Sequence, residues 1–434
     1  MTAGATKQSV INDARKSKMK HINQDSQRRI RRDFQQKETK KPTEEGNNCF
    51  LDFISNMLSP FRKEDILEEV QTTNFSKQDM KQSVSEIFDG SRRIDIDTIE
   101  ESPEDLESSQ TNLQTVHGDG NPNNTEDQAT TYEDVADGYT EGGKFEEAMK
   151  SYKQALEIRL LTMGKDHLVV VGTYNKIASI FRCQLKYDEA LETYEKVLAI
   201  RLKNLGASHP DTAKTLNSMA NVLSRQGKFD KAMEKYQQAL KIRIKAFGWD
   251  HLITSDTYCN IAGVLYNQGK LDGAMKIHQL VLAIRLKELG REDPDIADTY
   301  NNIACICYDL KKFNEALKLY KQTMAIRLRT VGPDHPDSAT TNYNTGNVLR
   351  KLGKYDEAMA MHQKALKIRL ETTGKDHADT ADTYRCMAII LQNQGKKQQA
   401  REMCQEALEI RQKCLGQDHP DTTKAQELLD KLCA

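Results

Sequence analysis

The sequence predicts an all-α solenoid: helical hairpins stacked one after another behind a polar, largely disordered N-terminal region. Three observations carry that prediction. One phrase recurs almost verbatim, as GKFEEAMKSYKQALEIRLLTMG at 143–164, GKFDKAMEKYQQALKIRIKAFG at 227–248 and GKYDEAMAMHQKALKIRLETTG at 353–374. Its landmarks keep a constant step of 42 residues. An Ala falls at 148, 190, 232, 274, 316, 358 and 400, an Ile-Arg pair recurs from Ile158-Arg159 to Ile410-Arg411, and a Gly closes each copy from 164 to 416. Finally, the apolar residues inside each copy follow helical spacing. One hairpin cannot bury its own apolar stripe, but a stack of hairpins can.

From the N-terminus, residues 1–48 read as a basic, disordered arm. Residues 1–41 carry 12 Lys/Arg against 4 Asp/Glu, including RRIRR (28–32) and KETKK (37–41). Residues 49–88 hold short amphipathic helices. In CFLDFISNML (49–58), Phe50, Leu51, Phe53, Ile54, Met57 and Leu58 share one face, and Asn48 is placed to cap it. Two further short helices are expected at 60–70 and 77–88. Residues 89–126 form an acidic linker containing IDIDTIEESPEDLE (94–107). A helix as short as 49–58 is not stable alone, so this helix or the acidic segment is expected to compete for the inner face of the stack.

Residues 127–434 hold seven 42-residue hairpins and a C-terminal capping helix from Asp421 to about Leu432. In the third copy the first helix spans about 212–225, with Leu216, Met219, Ala220 and Leu223 inward. The second runs from about 229 to 246 on Phe229, Ala232, Met233, Tyr236, Ala239, Leu240 and Ile242. Gly227 makes the turn between them. Leu185 and Lys311 fill the two turn slots that lack Gly. The closing Gly is expected to end the second helix in a left-handed conformation. His-Pro-Asp (209–211, 335–337, 419–421) suits a helix start. Ala136, Ala178, Ala220, Ala262, Ala304 and Ala388 mark close approach between helices.

The whole chain narrows the function classes. Lys and Arg (63) balance Asp and Glu (64), so no nucleic-acid or membrane partner is implied globally. No apolar run approaches a bilayer span, and MTAGATKQSV lacks a signal-peptide core. Nine scattered cysteines without a C-x-x-C spacing argue against disulfides and zinc. A cytoplasmic, reduced setting follows as an expectation. No phosphate loop, H-E-x-x-H or G-x-S-x-G occurs, so no enzyme and no cofactor are expected. The recurring histidines stand a full repeat apart and read as linker packing. His278 and His362 read as core substitutes for the aromatic, and the Ile-Arg arginines as structural.

The small residues of the first helix, the Ala of A-M-x-x-Y, its partners Tyr152, Tyr194, Tyr236 and Tyr320, and the later Ala-Leu resemble the tetratricopeptide family. The longer step, the Ala-Leu-x-Ile-Arg ending and the G-x-x-H-P-D linker look most like its kinesin light chain subgroup. That resemblance implies a right-handed superhelix whose first helices line a concave groove for extended or short helical peptides. Its expected role is a protein-binding adaptor or scaffold, with a kinesin light chain-like cargo adaptor of a microtubule motor complex as the specific version. Residues 1–128 lack the sustained heptad pattern that grips a kinesin heavy chain in that subgroup, which leaves that partner open. Lys-x-x-x-Asn, required for a two-carboxylate clamp, is also missing from every first helix.

Taking the first-helix positions on the side away from the core gives the candidate peptide-binding residues. They are Asn175, Ser179 and Arg182, then Asn217, Asn221, Ser224 and Arg225, then Asn301 and Tyr308. Tyr343, Asn347, Arg350 and Lys351 follow, then Arg385, Gln392 and Asn393. Amides can pair with peptide backbone, and Arg can fork onto a carboxylate. Glu133, Asp137 and Glu141 are expected to make the opening end acidic and the deeper part basic, suiting acidic peptides. Two other readings remain open: a regulatory sensor module signalling through its N-terminal segments, and nucleic-acid association through 7–41.

Overall fold

The computed structural model describes residues 122–433, with side chains from Thr125 onward. The basic arm, the expected helices at 49–88 and nearly all of the acidic linker lie outside the described residues. Seven hairpins follow one another: α1 (Pro122–Glu141) with α2 (Phe145–Met163), α3 (Leu168–Cys183) with α4 (Tyr187–Leu205), α5 (Pro210–Arg225) with α6 (Phe229–Phe247) and α7 (Leu252–Asn267) with α8 (Leu271–Leu289). Then come α9 (Pro294–Asp309) with α10 (Phe313–Thr330), α11 (Pro336–Lys351) with α12 (Tyr355–Thr372) and α13 (Ala378–Asn393) with α14 (Lys397–Leu415). A final helix, α15 (Pro420–Cys433), closes the series. The first helix begins at Pro122, ahead of the boundary expected at 127. Each helix packs on the one before and the one after it, which makes a solenoid, and first helices also touch directly at α5–α7, α9–α11 and α11–α13.

The histidines of the linkers are helix caps. In α3, α5, α7, α11 and α13 the His before the helix accepts a hydrogen bond at Nδ1 from the backbone N–H two residues on, and Asp293 does the same for α9. His419 caps α15 through the N–H of Asp421 at 3.2 Å. Each bond satisfies a donor that the first turn would otherwise leave unpaired.

The turn inside each hairpin needs a positive φ, which is 71° at Gly143, 74° at Gly227 and 75° at Gly395. Leu185 (60°) and Lys311 (61°) adopt it without being Gly, at a cost of about 1–2 kcal/mol for a side chain in that region. Lys311→Gly should therefore stabilise the fold by about 1 kcal/mol, less the extra freedom Gly gives the unfolded chain. A urea midpoint that fails to rise would contradict this.

The closing Gly departs from expectation. Its φ is positive, but ψ is extended: 85° and 161° at Gly164, 80° and 172° at Gly290. That region is essentially restricted to Gly. It turns the Gly carbonyl toward the next first helix, where a hydroxyl donates to it. Thr212 reaches Gly206 O at 2.9 Å, Thr254 reaches Gly248 O at 2.8 Å and Ser338 reaches Gly332 O at 2.8 Å.

The core is built by the small slots. Ala136, Ala178, Ala220, Ala262, Ala304 and Ala388 are fully buried, and each lets a second-helix aromatic or its substitute lie close. The same slot in the sixth hairpin is Gly346, where an added Cβ would stand 2.7 Å from His362 Nε2. His278 and His362 are buried in the aromatic slot, as the sequence suggests. In α15 the slot holds exposed Asp430.

Every Ile-Arg arginine is buried. Arg327 shows the arrangement: Nη1 donates to Asp337 O at 2.6 Å and Thr341 Oγ1 at 2.7 Å in the next hairpin, and Nη2 donates to Asp298 Oδ1 at 2.6 Å in its own. Arg201, Arg243, Arg285 and Arg369 bond the equivalent carbonyl and Thr. In these five hairpins the arginine thus fastens its own hairpin to the next through a backbone carbonyl; the linker Asp carboxylate is a lesser partner at 4.0 Å from Arg201, and Asp421 lies 3.6 Å from Arg411.

Candidate functional site

The first helices present one side to their second helices and another to open space. Where α3, α5 and α7 stand side by side, that open side holds a cleft of about 520 Å³ lined by Arg182, Asn221, Ser224, Arg225, Tyr236, Cys259, Asn260, Gly263 and Asn267. Four of the candidate residues meet here: Arg182, Asn221, Ser224 and Arg225. The floor is Tyr236 of α6, 2 % exposed, whose hydroxyl donates to Asn221 Oδ1 at 2.5 Å. That bond leaves the Asn221 NH₂ group free to donate into the cleft. Asn260 Nδ2 donates to Asn217 Oδ1 at 3.3 Å, so Asn217 likewise keeps its NH₂ free.

Charge follows the same sign. Arg182 is half-buried and donates to Ser179 Oγ at 3.3 Å, and Arg225 is exposed. Among the described residues neither is in ion-pair contact with a carboxylate, and no Asp or Glu lines the cleft. Burial pushes the Cys259 thiol up to about 12, so it stays neutral there. Burial likewise pushes the Tyr236 phenol up, against the opposing pull of Arg225, so it remains a donor. The cleft is rich in donors and positive.

The other candidates are placed differently. Asn175 folds back on its own helix, donating to Val171 O at 2.8 Å. Asn301 accepts from Asn344 at 3.5 Å, repeating the amide bridge between neighbouring first helices. Tyr343 is engaged by packing, with the Arg369 guanidinium 4.6 Å over its ring and the His362 ring edge-on at 5.4 Å. Cys386 Sγ lies 3.4 Å from both Tyr343 Oη and Asn347 Oδ1. Arg350 is half-buried and Lys351 exposed, Arg385 meets Asp382 at 3.7 Å, and Gln392 and Asn393 are exposed.

The acidic opening end needs correcting at two of its three carboxylates, while Glu141 is exposed as expected. Glu133 is 9 % exposed and accepts from Arg159 Nη1 at 2.5 Å and Thr173 Oγ1 at 2.6 Å, so it belongs to the fastening between hairpins. Asp137 accepts from Tyr152 at 2.5 Å and from Lys176 at 3.0 Å. Both carboxylates are neutralised from within.

Sequence reasoning missed Cys259, Asn260, Gly263 and Asn267. Three of them stand one 42-residue step beyond chosen residues: Cys259 after Asn217, Gly263 after Asn221, Asn267 after Arg225. Selecting polar side chains hid Cys259 and Gly263, although an open slot shapes a cleft as much as a polar one. Tyr236 was counted as core, which it is, but its hydroxyl emerges at the cleft floor. No helix of the described residues is long and apolar enough to cross a membrane. Among those residues no group of three His, Cys, Asp or Glu is placed to hold a metal ion.

Profiles of the tetratricopeptide repeat match residues 169–245, 253–329 and 306–371, and a second profile of the same repeat matches 128–168 and 380–421. No curated protein matches the chain. Among solved structures, the apo form of RapI is 15 % identical, covers 66 % of this chain and 98 % of its own, and superposes with a TM-score of 0.51. A signal-transduction ATPase with a tetratricopeptide repeat sensor from Pyrococcus horikoshii is 12 % identical over 72 % of this chain and 44 % of its own, also at 0.51. BtubC (BKLC) from P. vanneervenii is 23 % identical over 55 % of this chain and 94 % of its own, at 0.45. The repeat profiles run from the first hairpin into the last linker, and the architecture they describe is the one the helices build: the chain belongs to the tetratricopeptide repeat family.

Proposed function

We propose that the protein is a non-catalytic, cytoplasmic interaction scaffold that captures acidic peptide segments of partner proteins on the first-helix face, at the cleft between α3, α5 and α7. One observation carries the reading: Arg182 and Arg225 flank a donor-lined cleft in which, among the described residues, no carboxylate answers them. Leaving two guanidinium groups without an acid partner wastes nothing in water, but it gives an incoming carboxylate a ready fork.

Binding of a fluorescent acidic peptide library to the full chain tests this. Arg182→Ala and Arg225→Ala should each weaken the best binder about tenfold, since a charge-assisted contact is worth about 1.5–3 kcal/mol, and raising salt should weaken it further. Unchanged affinity in the double variant would reject the site. Within this reading, the kinesin light chain-like cargo adaptor is the specific version. Retention of the chain by a kinesin heavy-chain stalk supports it, and absence of retention favours a regulatory module signalling through residues before 122.

A further inference from the structure

The slot of Arg182 recurs along the first helices as Ser224, Tyr266, Tyr308 and Arg350, and the slot of Arg225 recurs as Asn267, Asp309 and Lys351. The open face therefore reads positive at α3 and α5, aromatic at α7 and α9, and positive again at α11. Arg350 and Lys351 share the property of the first pair. Among the described residues neither is in ion-pair contact with a carboxylate, although the Arg350 Nε atom itself is buried. Elsewhere on the chain, exposed cations find acids readily, as Lys203 does with Asp166 at 2.5 Å and Lys287 with Asp250 at 2.9 Å. Between the positive ends, Tyr266 and Tyr308 are half-buried. The Tyr266 hydroxyl donates to Asp309 at 2.5 Å, which ties down the one acid in the row. Tyr308 lies edge-on to Phe313, 5.6 Å between ring centres.

We propose that the peptide captured on this face is bipartite: two acidic clusters held by Arg182/Arg225 and by Arg350/Lys351, joined by a stretch whose aromatic or aliphatic side chain rests on Tyr266 and Tyr308. This rests on the acidic-peptide reading above and adds its length and pattern. Arg225 and Lys351 occupy one slot three hairpins apart. Neighbouring packed helices lie about 10 Å apart, so the two ends are separated by about 30 Å. An extended chain advances about 3.3 Å per residue, which sets the acidic clusters about nine residues apart. Each end alone is a partly solvated contact of modest strength. Tethered together, the second forms at high effective concentration, and affinity depends on the spacing.

The test uses the full chain and synthetic peptides with two Asp-Glu clusters spaced by three, nine or fifteen residues around one Trp, together with each cluster alone. The nine-residue peptide should bind at least tenfold more tightly than either single cluster or the other spacings. Lys351→Glu with Arg350→Gln should erase that advantage while leaving binding of a single cluster unchanged. Equal affinity for all spacings, or an unaltered spacing preference in that variant, overturns the bipartite pattern. Failure of every acidic peptide to bind, single clusters included, instead overturns the underlying assignment of the face.

Discussion

Acidifying the protein from pH 7 to pH 4 removes several kcal/mol of folding stability, and two buried histidines cause most of the loss. His278 is 4 % exposed and His362 is fully buried. Burial first, then Arg285, lowers His278 to about 4, and burial, then Arg350 and Arg369, lowers His362 to about 3. An unfolded His titrates near 6.5. Between the two values the unfolded chain binds more protons than the native one, so stability falls as pH falls. The contribution is complete above about 6.5 and is lost progressively as pH drops toward 4 for His278 and toward 3 for His362. At 1.36 kcal/mol per unit, the two are worth about 3 and 5 kcal/mol in the limit of low pH. Urea unfolding of the wild type and of a His278→Tyr/His362→Tyr variant at pH 7, 6, 5 and 4 reads their contribution. Tyr is the residue other hairpins carry in that slot. A variant that loses as much stability as the wild type would show that the buried histidines are not responsible.

Arg327→Met lowers stability by about 3 kcal/mol and divides the unfolding transition in two. Met keeps most of the buried stem while removing the guanidinium, so the loss reads the polar contacts. Asp298, more than half exposed, is left solvated and adds little. The remaining cost comes from the bonds to Asp337 O and Thr341 Oγ1, which join the fifth hairpin to the sixth. Hydrogen bonds from a charged donor are worth about 1.5–3 kcal/mol each. Because a solenoid is coupled only between neighbours, weakening one junction lets the segments on its two sides melt separately. Calorimetry of the variant should show a broadened or doubled transition. A single sharp transition at the wild-type midpoint would deny the arginine its joining role.

The repeated phrase made the hairpins, their order and their turns legible, because a fixed step and helical spacing leave one way to bury the apolar stripe. The open side of the first helices was legible too, at Arg182, Asn221, Ser224 and Arg225, which line one cleft. What escaped were relations across hairpins. Glu133 reads as a surface acid along its own helix, yet Arg159 from the second helix and Thr173 from the next hairpin close over it. Tyr343 reads as a groove residue, yet Arg369 and His362 pack against it. Gly346 breaks an otherwise constant Ala slot, and the reason lies sixteen residues later in the chain, in the ring of His362.

Helix positions, hairpin count and the small-residue seats are properties of local chain periodicity, so the amino-acid order alone settles them. Which charged groups remain available to a partner is a different matter, because availability depends on what each group meets after folding. The seven Ile-Arg arginines look like a cationic ladder in one dimension, but stacking buries them all, five of them against the next hairpin's carbonyls. Among the described residues, Arg182, Arg225, Arg350 and Lys351 are left without acids because the neighbouring first helices bring none within reach. The physical reason is that a side chain's partners along a helix lie three or four residues away, whereas here its decisive partners come from a neighbouring helix or the next hairpin.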